Sequence, residues 1–167
     1  MIKTKKLTTL AILAALAAVL SWVENLVPLQ TAVPVPGVKL GLANVASAFA
    51  LYLFGPGAAA LVVVTRCLIG VGLSGNLTGL LFSLTGGILS VGTMALGRKT
   101  GRLSVYGVSA LGAAAFNIGQ ILVAAVLMHS LQIALYLPWL LIIGTVCSMA
   151  TATALAGVLR ASDAIAP

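Results

Sequence analysis

The chain is written as six long apolar blocks separated by short polar or Pro/Gly-rich breaks. A segment that crosses a hydrocarbon core about 30 Å thick needs about 20 apolar residues at about 1.5 Å of rise each. Six stretches qualify: Leu7 to Val27, Val38 to Phe54, Gly57 to Leu73, Gly79 to Leu96, Val105 to Met128 and Leu135 to Leu159. They use most of the chain and leave no soluble domain, so residues 1–167 read as one transmembrane domain. Pro28, Pro34, Pro36 and Gly37 end the first helix and predict an extended loop. Gly55-Pro56-Gly57 predicts a tight turn with helices two and three antiparallel. Ser74-Gly75-Asn76 and Arg98 to Ser104 are further turns, and Pro138 falls near the start of helix six, where its missing N–H costs least.

Composition supports the same class. Of the 167 residues 61% are hydrophobic and 7% charged, against roughly 25% charged in an ordinary soluble domain. A water-soluble protein of this composition could not cover its surface; lipid removes the difficulty. The net charge of +7 would fit a nucleic-acid binder if the bases formed a patch, and they do not. Lys3, Lys5 and Lys6 precede the first block, Arg98, Lys99 and Arg102 lie between two blocks, and Arg160 follows the last. With both termini inside, seven of the nine bases fall on the cytoplasmic side. The expected fold is an all-α, six-span, N-in/C-in protein of the cytoplasmic membrane. The first block exceeds a signal-peptide core of about 7–15 residues, and removing it would break the charge asymmetry.

Polar groups inside the spans are costly and need a reason. Arg66 sits nine residues after Gly57, near mid-span. Two roles fit it: an internal ion pair with Glu24, one of only two acids in the chain, or an anion site. Lys39 either anchors the outer end of helix two by snorkelling or joins Gly41 and Asn44 in a binding stretch. Asn117 and Gln120, three apart, share a helix face and are candidate ligand contacts. Ser83 and Thr85, followed by Gly86-Gly87, either join helices or line the same site. The depth of these groups predicts a polar cavity open to the outside, and two cations against one acid suit it to a small anion. Ala11/Ala15 and Ala14/Ala18 form small-residue pairs on helix one, for internal packing or for a partner helix. Cys67 and Cys147 read as packing residues.

Catalytic and metal constellations are missing from the sequence. There is no pair of intramembrane carboxylates, no Asp-rich magnesium motif and no phosphate-binding Gly-Lys-Ser/Thr loop, and the one histidine, His129, falls at the outer end of helix five. No cofactor is expected.

The stretch Pro36-Gly37-Val38-Lys39-Leu40-Gly41-Leu42-Ala43-Asn44, with Leu51 to Pro56, Arg66, Ser83 to Gly87 and Asn117 to Gln120, resembles the Gx transporter family, also labelled heptaprenyl diphosphate synthase component I. The family pattern often carries His where Phe116 stands here. That family in turn resembles the substrate-binding S-components of energy-coupling-factor (ECF) transporters. The resemblance implies a six-helix bundle and an outward-facing vitamin or cofactor site, a flavin nucleotide being one candidate. It also implies a transmembrane coupling subunit that meets the alanines of helix one, and two ATPases. The older label implies instead an accessory subunit of prenyl diphosphate synthesis. A third reading, a purely structural membrane partner, requires the polar residues to make only helix-to-helix bonds.

Overall fold

The computed structural model describes residues 2–26 and 39–165, and the predicted loop from Pro28 to Gly37 lies outside them. The described residues form six α-helices: α1 (Ile2–Leu26), α2 (Asn44–Phe54), α3 (Pro56–Ser74), α4 (Leu77–Lys99), α5 (Val105–Leu127) and α6 (Leu137–Ile165). A 3₁₀ segment, Leu131–Tyr136, leads into α6. All but α2 are long and apolar enough to cross a membrane. Large apolar side chains such as Leu68, Leu73, Val126 and Val146 point out of the bundle. These are the marks of a multi-pass membrane protein.

The second predicted span is the one the structure changes. Helix begins at Asn44, not Val38, and Lys39 to Gly41 are non-helical. The 11 residues of α2 reach only about 16 Å. The reason is local: Gly41 has φ +84°, a left-handed conformation that stops a helix from starting earlier. The helix has no hydrogen-bonding side chain at its own N-cap, Ala43.

A short helix serves because α2 is the hub. It packs against every other helix, while α1, α3, α4, α5 and α6 follow one another in an arc around it. Its small residues Ala46, Ser47, Ala48 and Ala50 are buried and let the neighbours close in. The widest interface is α4 against α5. There Gly86 and Gly119 face each other so closely that a Cβ on Gly119 would lie 2.8 Å from the Gly86 Cα.

The turns follow their residues. Gly55 (φ +91°) joins α2 to α3, with Pro56 in the first turn of α3. Gly75 (φ +64°) ends α3, and the Asn76 side chain caps α4 by accepting from the Gly79 N–H at 2.8 Å. Ser104 caps α5 through the Gly107 N–H at 3.2 Å. At the end that holds the N-terminus, Arg98 of α4 donates to the Leu51 carbonyl in the last turn of α2. Its guanidinium also stacks 4.7 Å from the Tyr52 ring centre, and the Lys6 ammonium lies 5.6 Å from that of Phe54. These contacts bring basic residues from α1 and α4 to the α2–α3 turn. Cation–π attraction and a helix C-terminus both favour them there.

Candidate functional site

Arg66 lies mid-way along α3 and is 2% exposed. Helix α4 makes room for it with Gly87, where a Cβ would stand 3.1 Å from Arg66 Nη2 and 2.6 Å from a Val63 methyl. Arg66 Nη2 donates to Asn44 Oδ1 at 3.3 Å, while its Nε has no protein partner. Asn44 is the first residue of α2, and its Nδ2 is likewise buried without a partner.

Glu24 is 2% exposed near the end of α1, and an ion pair with Arg66 was one of the two roles open to that arginine. Glu24 Oε1 accepts the backbone N–H of Leu42. The acid thus holds, from another helix, the turn that leads into α2. Negative charge is favoured at that end of a helix dipole. It still faces Arg66 and Lys39 as an opposite charge, but both cations hydrogen-bond elsewhere. The Lys39 ammonium donates to Ser21 Oγ at 2.9 Å. Ser21 precedes Glu24 by three residues, so one face of α1 presents both groups.

Helix α5 supplies the other holds. With donor set against acceptor, the Gln120 amide donates to the Lys39 carbonyl at 3.1 Å and accepts the Lys39 N–H at 3.0 Å. A side-chain amide therefore pairs with backbone as a neighbouring strand would. Asn117 Nδ2 donates to the Leu140 carbonyl of α6 at 2.9 Å. Gly144 permits that approach, since a Cβ there would run into the same amide nitrogen. Phe116 is buried against Gly41 and Gly86. The segment 39–43 is thus pinned from α1 by Ser21 and Glu24 and from α5 by Gln120. Non-helical backbone packed inside such a bundle needs protein partners of this kind.

The structure brings Glu24, Lys39, Asn44, Arg66 and Gln120 into one region around the start of α2. Ser83 is 4% exposed with an unpartnered Oγ. It shares a face of α4 with Gly87 and Ser90. Thr85 is half-buried. The alanines separate: Ala14 is in the core and Ala18 half-buried, whereas Ala11 and Ala15 face outward. Sequence reasoning missed Ser21, Ser47 and Ser90. The helical spacings Ser21/Glu24, Asn44/Ser47 and Ser83/Gly87/Ser90 carry the signal that would have found them.

Among the described residues the unpartnered buried atoms are mostly ones that can donate: Arg66 Nε, Asn44 Nδ2 and the Ser47, Ser83 and Ser90 hydroxyls, against one carboxylate oxygen of Glu24. Donors around a fixed positive charge suit an acceptor-rich or anionic group. A chamber beside them, bounded by Asn44, Ser90, Gly144 and Ser148, measures about 20 Å³. That is room for water.

An apolar-skinned bundle of six helices, with charged and amide groups sequestered around a short central helix, defines a polytopic membrane protein with an internal polar site. Within that class the chain belongs to the heptaprenyl diphosphate synthase component I family, whose model matches residues 13–158. No curated protein and no solved structure matches it.

Proposed function

We propose that the chain is the membrane-embedded component of a prenyl diphosphate synthase assembly. The family match over residues 13–158 carries this reading. Chain composition supports an accessory role. With Glu24 and Asp163 as its only acids, the chain has no Asp-rich magnesium motif, so a partner subunit must supply the metal-dependent step. A prenyl diphosphate is an amphiphile. Its anionic end would be held by Arg66 and Lys39, with Asn44, Ser83 and Thr85 as further donors; Asn117 and Gln120, whose amides bind the Leu140 carbonyl and the Lys39 backbone, would hold the site in shape, and the tail would lie in apolar surroundings. The proposed location is the cytoplasmic membrane with both termini inside, because the bases gather at that end.

The test is co-purification of the gently extracted chain with a soluble prenyl diphosphate synthase from the same cells. Product length is then measured by mass spectrometry with and without the chain. Joint elution and longer products are expected. Identical activity and product length in both cases would end this reading.

A second reading is favoured by the free donors of Arg66 and Asn44 beside a segment held in place by side chains. In it the chain captures a small anionic cofactor or precursor, such as a flavin nucleotide, in the manner of an ECF S-component. Ala11 and Ala15 would then face a coupling subunit energised by separate ATPases. This reading expects native mass spectrometry to find a co-purifying small anion that Arg66→Ala loses. Equal retention in Arg66→Ala and Lys39→Ala would remove the site.

A further inference from the structure

The chamber of about 20 Å³ lies where α2, α4, α5 and α6 meet. Its lining holds no charged side chain. Ser90 is fully buried, and its hydroxyl has no hydrogen-bond partner in the protein. Asn44 Nδ2 is a second buried donor without a partner, fixed because Oδ1 of the same amide accepts from Arg66. The α6 wall is different. Ser148 Oγ donates to the Thr145 carbonyl at 2.8 Å and Thr151 Oγ1 to the Ser148 carbonyl at 3.0 Å. Those hydroxyls have spent their protons and have lone pairs to offer.

The lining therefore asks for a donor on one side and an acceptor on the other. A small anion would meet the lone pairs of α6. A small cation would meet the Asn44 amide protons and the Arg66 charge behind them. A water does both, needs two to four polar partners, and fits a space of this size. We propose that one ordered water occupies the chamber, accepts from Asn44 Nδ2, exchanges hydrogen bonds with Ser90 and donates to the hydroxyls of α6. It joins the hub helix to α4 and α6.

The sign of one substitution tests this. A buried hydroxyl with no partner is a liability, and its removal stabilises; a hydroxyl that holds a water is an asset, and its removal orphans the water. Ser47 is the matched control: fully buried, unpartnered and outside the chamber lining. Thermal unfolding of the detergent-purified full chain should show Ser90→Ala lowering the midpoint by about 2–4 °C and Ser47→Ala leaving it equal or higher. A rise or no change in Ser90→Ala overturns the proposal. High-resolution density of the unmutated chain decides the case even if Ser90→Ala fails to fold. A single peak within hydrogen-bonding distance of both Ser90 Oγ and Asn44 Nδ2 is expected. A chamber without density, or one filled by lipid or detergent carbon, overturns it.

Discussion

Glu24→Ala is expected to lower the thermal midpoint of the detergent-purified chain by about 10 °C. Two losses combine. The Leu42 N–H, which donates to Glu24, is left unsatisfied at the start of the hub helix. The interior also keeps Arg66 and Lys39 with their one acidic neighbour gone. A buried donor left unsatisfied costs about 1–3 kcal/mol, loss of the opposite charge adds to that, and each kcal/mol moves the midpoint of a chain this size by about 2–4 °C. Glu24→Gln separates the contributions, because a side-chain carbonyl can still accept from Leu42 while the charge is lost. About half the full loss is expected from it. Should alanine leave the midpoint within a degree of the parent, Glu24 does not hold α2 in place. Should glutamine match alanine, the charge matters and the hydrogen bond does not.

The second large effect is expected at the α4–α5 crossing. Gly119→Ala would set a methyl group 2.8 Å from the Gly86 Cα and 3.0 Å from its nitrogen. Backbone cannot swing aside as a side chain can, so the most extensive helix interface must part. Overpacking of this kind costs about 1–3 kcal/mol and more where nothing can yield. A fall of several degrees is expected, together with faster protease cleavage in the loop that joins α4 and α5. Gly92→Ala is the control. It lies on α4 with nothing within 4 Å of the added Cβ, and should gain about 0.5–1 kcal/mol from the lower flexibility of alanine. If both substitutions shift the midpoint alike, the Gly86–Gly119 contact is not what sets the crossing.

Much of the architecture was legible in the chain. Five of the six apolar blocks became long helices close to their predicted places, because apolar length and Pro or Gly breaks are properties of the sequence alone. Gly55-Pro56-Gly57 and Ser74-Gly75-Asn76 became turns for the same reason. The alanine pairs of α1 show the limit. Spacing told which alanines share a face, but not that Ala14 turns inward while Ala11 and Ala15 turn out.

Residue type and spacing alone determined a multi-pass helical protein with Arg66 deep inside it, since a guanidinium at mid-helix among apolar neighbours has nowhere else to go. They also marked Lys39, Asn44 and Gln120 as polar groups in need of partners. Only the tertiary structure decided what those partners are. It shortened α2 to a hub, gave Glu24 to the turn that leads into it and set Gln120 against the backbone of Lys39. It also closed Asn117 onto α6. The physical reason is that a buried polar group binds whatever complementary atom packing brings within about 3 Å, and that distance depends on helices remote in sequence.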